Sequence, residues 1–281
     1  MTVRLNKILI FFVLLLTLYP ICFVFLGSFM GNEEVKQYLA ILNAKDSQHY
    51  VSVYFAPKFP TLRAYVALLL DTPEFFVAFW NSVKVVSLIL VGQLAINLPA
   101  TWWFIRIKWR GKDWLYRLYI VLMVLPFVVM MLPQYMIFKQ FNLLDKLAVL
   151  ILPAIFSTFS VFIIYPYFRA IPQELIESAQ IDGATEWQIF YKIGLPLAMP
   201  GMIISVVLNL IEYWGSVEQT LAFVKDKTLW TIPLFVSSIQ TSKPVLAFVS
   251  AVVAMILPLL VMLIFRQDLT NGLLNNAGEK Q

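Results

Sequence analysis

Charge is scarce in this chain. Only 13% of its 281 residues are Asp, Glu, Lys or Arg, whereas 60% are hydrophobic; soluble domains carry about 25% and about 45–50%. That deficit excludes an ordinary water-soluble globule and points to a polytopic membrane protein, whose apolar surface is solvated by lipid. Cysteine is nearly missing. The single Cys22 lies inside the first apolar run, so no disulfide within the chain and no thiolate metal cluster can form. The one histidine, His49, sits in a polar loop and reads as a solvated side chain. No G-x-x-x-x-G-K-[S/T] occurs, because Gly111-Lys112 is followed by Asp113 and has no glycine five positions before it. The chain therefore cannot hydrolyse ATP itself. No H-E-x-x-H, nucleophile elbow or metal-ligand cluster appears, so no catalytic residue and no metal site is expected. The net charge of +5 is too modest to suggest a nucleic-acid partner.

What is present is a series of long apolar runs. Six spans are predicted, at about 8–30, 79–105, 114–137, 147–168, 197–217 and 244–265, in one integral domain covering 1–281. The fold class is thus an all-α membrane protein. The first run follows Arg4 and Lys7, as a secretory signal does. It is longer than a signal core and no small-residue cleavage site follows, so a retained helix is expected. Pro99, Pro126, Pro133, Pro153, Pro166 and Pro258 fall in or beside the runs, where neighbouring helices can satisfy the backbone groups that proline frees. Orientation rests on "RIKWRGK", residues 106–112, with four basic side chains in seven. Basic short loops stay in the cytoplasm, which places both termini there and makes 31–78 an outer loop. The stretch "TLRAYVALLLDTPEFFVAFW" in that loop predicts one or two short interfacial helices.

Between the fourth and fifth runs, residues 169–196 break the apolar pattern. Pro172 suits a first helical turn, and "QELIESAQI" then reads as a short helix with Leu175, Ile176 and Ala179 on one stripe. Asp182-Gly183 ends it, since glycine accepts the left-handed backbone of a helix terminus. Thr185 and Gln188 fit a capping box that opens a second helix, with Trp187, Ile189, Phe190 and Ile193 along its apolar side. The result is a helix–turn–helix. It either rests on the membrane surface or docks into a protein cleft; its acidic residues weigh against the first, because helices that bind anionic lipid are basic.

This segment resembles the EAA loop of ABC importer permeases: E-A-A, three residues, G, nine residues, then I-x-L-P. Here Glu177-Ser178-Ala179, Gly183 and Ile193-Gly194-Leu195-Pro196 keep both spacings, with Ser178 replacing an alanine. "FWNSVKVV", "RIKWRGKDW", "FNLLDKLAVLILP" and "FRAIPQELIESAQIDGA" resemble the carbohydrate-uptake subfamily, most of all its maltose-system G-type subunits. "TIPL" at 231–234 matches as well. The likeness is weakest where the family often has W-N-D/E-F and this chain has Trp214-Gly215-Ser216-Val217. The resemblance implies an importer permease of a bacterial cytoplasmic membrane. Its partners would be a second permease subunit, a dimeric P-loop ATPase that uses ATP and magnesium, an extracytoplasmic solute-binding protein and the lipid bilayer. No cofactor would be bound by this chain. The helix–turn–helix would be the coupling segment seated in the ATPase, with Glu177, Ser178, Ala179, Asp182, Gly183, Ile193, Leu195 and Pro196 as its coupling residues.

Polar residues inside spans are functional candidates by default. Asn209, Glu212 and Tyr213 form one set, and Gln134 with Tyr135 a second; each either lines a solute path or makes a helix–helix hydrogen bond, and Glu212 could instead pair with a lysine near the outer interface. Trp214 reads as an interfacial anchor in preference to a sugar-stacking platform, and Lys84 as a snorkelling side chain. A permease for a non-sugar solute is the nearest alternative. A secondary carrier would need more intramembrane carboxylates than Glu212 and an internal repeat, which is not visible.

Overall fold

The computed structural model describes residues 2–36, 57–240 and 242–270. His49 and the C-terminal residues beyond 270 lie outside them. Thirteen helices are followed here in chain order: α1 Thr2–Gly27, α2 Arg63–Asp71, α3 Pro73–Arg106, α4 Lys112–Met123, α5 Phe127–Gln140, α6 Ala148–Ile155, α7 Thr158–Arg169, α8 Gln173–Ile181, α9 Glu186–Ile189, α10 Leu195–Gly215, α11 Glu218–Phe223, α12 Ile232–Ile239 and α13 Pro244–Ile264. No strand occurs among the described residues. Five helices are long and apolar enough to cross a membrane, or six if α4 and α5 form one bent span.

Proline punctuates these helices. Pro73 opens α3, where its missing N–H costs nothing, so the second span begins earlier than its apolar run suggests. The third run is not one rod. Pro126 stands between α4 and α5, whose axes meet at 96°, because proline has no backbone N–H with which to continue the ladder. The interfacial stretch yields the nine-residue helix α2, with Leu68 fully buried.

The chain forms two compact units, Met1–Phe79 with Ile232–Ile256, and Trp80–Thr231 with Leu257–Gln281. In the first, Met30, Val35 and Val245 are buried together, with Ala64 and Phe248 packed against them. The Phe23 and Phe248 rings meet edge to face at 5.9 Å, and Ser28 Oγ and Tyr65 Oη share a 2.7 Å hydrogen bond. The apolar side chains of α1 from Leu9 to Phe25 are largely exposed, as a lipid-facing helix requires.

The second unit has two apolar cores. One gathers Val85, Ile89, Phe138, Val149, Leu150, Ala154, Phe223 and Val224. The other gathers Leu98, Trp102, Ile164, Phe168, Ile176, Ile189, Phe190 and Ala198 around the polar segment. Between α6 and α7 the helical ladder breaks at Phe156 and Ser157. Two side chains of α3 take up the carbonyls near that break: Gln93 Nε2 donates to Ala154 O at 2.8 Å and Asn97 Nδ2 to Ile155 O at 3.4 Å. An unpaired carbonyl in hydrocarbon costs several kcal/mol, roughly, so these amides make the break tolerable. Helices α7 and α10 approach closely at Gly201, where an added Cβ would lie 2.3 Å from Tyr167 Cδ2.

Candidate functional site

The polar segment folds as two short helices with a sharp turn between them. Pro172 takes the N-cap of α8 with extended backbone, one place before the first turn. At the other end Gly183 adopts φ +82°. Its N–H donates to Gln180 O at 3.0 Å and Ala184 N–H to Ala179 O at 2.9 Å, the paired closure of a Schellman terminus. The capping box of α9 is complete: Gln188 N–H donates to Thr185 Oγ1 at 3.4 Å, and Thr185 N–H to Gln188 Oε1 at 2.8 Å.

One face of the segment is buried and the other bare. Ile176, Ile189 and Phe190 enter the core, with Ala179, Ala184, Ile193 and Leu195 packed on its margin. Leu175 does not follow its stripe inward and stays about half exposed. Glu177, Ser178, Asp182 and Gly183 are exposed, as is Pro196 at the far end. Ile181 beside the turn is 86% exposed and Trp187 61%. An isolated chain thus presents two large apolar side chains among carboxylates, beside a turn closed at Gly183 and capped at Thr185.

The joint to the next span has unusual backbone. Phe190–Gly194 is a π-helical turn between α9 and α10. Pro196 explains it: its ring crowds the carbonyl one turn back and offers no N–H to it, so the turn widens. Gly194 lies under Trp102, where a Cβ would sit 2.9 Å from the indole ring.

Arg106, the last residue of α3, ties the segment together. Its Nη2 donates to Glu186 Oε1 at 2.9 Å and its Nε to Oε2 at 3.4 Å. Nη1 donates to Gln173 Oε1 at 3.3 Å. Gln173 Nε2 in turn donates to Glu177 Oε1 at 3.1 Å, and Gln180 Nε2 to Glu186 Oε1 at 3.0 Å. The guanidinium lies 5.9 Å from the Trp102 ring centroid, and that ring packs edge to face on Phe168. Sequence reasoning used Arg106 only as a topological marker and passed over Gln173 and Glu186 as partners. The only signal was a basic residue ending an apolar run; its partners lie 67 and 80 positions away.

The candidates within the spans separate. Asn209 is fully buried. Its Nδ2 donates to Ser205 O at 2.7 Å on α10 and to Ser160 Oγ at 3.2 Å on α7, and Ser160 Oγ donates to Gln93 Oε1 at 3.1 Å on α3. These contacts place the Asn209 amide in a helix–helix hydrogen-bond arrangement. Tyr213 is half-buried with its hydroxyl near Ser157 and Gln93. Tyr135 packs on the same apolar core as Tyr213, while Gln134 is half-buried and Glu212 exposed. Trp214 is only 7% exposed, so it is a packed core residue and not the interfacial anchor its place in the sequence suggests. Among the described residues no group of His, Cys, Asp or Glu could hold a metal.

Residues 97–271, which contain the helix–turn–helix, Arg106, Ser160 and Asn209, match the model of the binding-protein-dependent transport system inner membrane component. The chain belongs to that family. It is therefore a permease, a non-catalytic transmembrane subunit of an ABC importer. Among its relatives, the arabinooligosaccharides transport system permease protein AraQ of Bacillus subtilis is 27% identical over 90% of this chain and 87% of its own. AraQ of Halalkalibacterium halodurans is 24% identical over 82% of this permease and 78% of its own length. A putative ABC transporter permease from a Caldicellulosiruptor species is 32% identical over 75% and 78%. A bacterial ABC transporter that imports alginate contains a chain of the same fold, with a TM-score of 0.73 at 22% identity over 94% of both chains.

Proposed function

We propose that this permease forms, with a second permease subunit, the translocation path for a sugar or oligosaccharide delivered by an extracytoplasmic binding protein. A separate dimeric ATPase, using ATP and magnesium, drives it through residues 172–196. The carbohydrate class is supported by relatives named for arabinooligosaccharide, lactose and diacetylchitobiose transport.

The observation that carries the coupling role is the rigid projection itself. Two capped helices, a glycine turn at φ +82° and exposed Ile181 suit insertion into a cleft. The π turn before Pro196 joins that projection to α10 without a flexible linker. Under this reading Glu177 and Asp182 meet polar groups of the ATPase, and Ser178 and Ala179 leave room for close approach. Closure of the ATPase dimer then biases a two-state rearrangement of the spans. The polar segment is cytoplasmic, as are both termini, and the membrane is the bacterial inner membrane.

The test is a pull-down in mild detergent from native membranes with every co-purifying chain identified by mass. A second permease, a P-loop ATPase and a solute-binding protein are expected. Gly183→Pro and Glu177→Lys should each abolish uptake while leaving the chain inserted and abundant. Normal uptake in both variants overturns the coupling role.

A further inference from the structure

We infer that Arg106 is a positioning residue that makes the end of α3 move with the helix–turn–helix, so that the stroke of the coupling segment enters α3 as well as α7 and α10, the two helices that flank it in the chain. The inference rests on the coupling role proposed above. Three observations carry it. First, one guanidinium grips both arms of the segment at their beginnings, through Gln173 at the start of α8 and Glu186 at the start of α9. Each arm is then tied again, by Gln173 to Glu177 within the first helix and by Gln180 to Glu186 across the turn. A displacement of either arm therefore pulls on the same side chain.

Second, that side chain is held on its own helix. Arg106 retains 19% side-chain exposure against 54% for Glu186, and its guanidinium lies over Trp102 one turn back. Trp102 is wedged against Phe168 and Phe190 with centroids at 5.4 and 5.8 Å. Gly194 lies against the same ring. Aromatic packing resists compression, and the ion pair resists separation; together they transmit both push and pull. Packed cores shift between discrete arrangements and do not deform continuously.

Third, the chemistry needs arginine. A planar guanidinium presents donors to two acceptors in fixed directions, whereas an ammonium is a single point charge. A surface ion pair alone is worth little; the geometric role is what the fork supplies.

The experiment uses the complex purified through a tag at the C-terminus, in a Cys22→Ser background with one reporter, Ala100→Cys, at a position that lines the same groove as Arg106 and Glu186. Maleimide labelling of the reporter is timed without nucleotide and with ATP, magnesium and vanadate. A nucleotide-dependent change in rate is expected in the parent. Arg106→Glu and Glu186→Arg should each reduce that change by roughly tenfold, and the double swap should restore most of it, since contacting residues are non-additive. Size exclusion with ATP hydrolysis confirms that each variant is assembled; a single variant that does not assemble leaves the restored double swap as the deciding comparison. A reporter that ignores nucleotide in the parent overturns the inference, as does an undiminished change in both single variants or a double swap as impaired as the singles. Failure of the coupling reading is distinct: no P-loop ATPase would accompany the purified chain at all.

Discussion

Gln93 and Asn209 show how few polar atoms stabilise this apolar interior. Gln93 closes a carbonyl beside the α6–α7 break, and Ser160 links it to Asn209 on α10. Replacing Gln93 by Leu strands Ala154 O in an apolar setting, and replacing Asn209 by Leu removes the donor that joins α7 to α10. Each should lower stability by about 0.6–2 kcal/mol, the range for intramembrane hydrogen bonds and stranded acceptors. Thermal unfolding of the purified chain in detergent checks this, and an unchanged midpoint in both would dismiss the cluster as incidental. At this scale the sequence was half legible. Asn209 stands out as an amide in an apolar run, but its partner Ser160 lies 49 positions away on α7, and Gln93, reached through Ser160, on α3. No local pattern names them, because a hydrogen bond depends on which helices become neighbours.

Elements were more legible than single contacts. The turn at Gly183 and the capping box at Thr185 follow from short-range chemistry, where a few adjacent residues satisfy their own backbone groups. Span existence followed from run length. The 96° bend at Pro126 and the π turn at Phe190–Gly194 were not legible, although a proline marks each. Proline says that a ladder is interrupted; the surroundings decide whether the helix kinks, widens or turns away. One loop element makes its own prediction. Asp145 sits at φ +61°, and its Oδ1 accepts the N–H groups of Lys225 and Asp226 at 2.8 Å each. Asp226 likewise accepts the Thr228 N–H and hydroxyl, which holds its carboxyl below the usual range. Asp145→Ala should release the loop at 224–228, read as faster amide exchange at Lys225 and Asp226 than in the parent. Equal exchange rates would mean the loop is held by its buried neighbours, Phe223 and Val224.

At the scale of the whole molecule the decisive question is orientation. The basic loop at 106–112 is what supports the proposed orientation, with the helix–turn–helix and both termini cytoplasmic. A protease-cleavable tag after Gln281 should survive protease added to intact cells from outside and be removed only after the inner membrane is opened. Cleavage in intact spheroplasts would invert the topology and strip the polar segment of access to an ATPase. A tag that survives, together with an ATPase in the pull-down, places the joint on the side where nucleotide is available.

The sequence by itself determined the solvent, the class of secondary structure and the helix–turn–helix between the fourth and fifth runs. Those depend on composition, run length and spacings of under twenty residues, all of which are local. Tertiary structure alone decided that Arg106 grips both arms of the helix–turn–helix, that Asn209 is a buried tie between α10 and α7, and that Trp214 lies inside. Each of those depends on helices far apart in the chain becoming neighbours. In a membrane, where lipid is as apolar as a helix flank, that choice is made by packing and hydrogen-bond geometry and not by hydrophobic pattern.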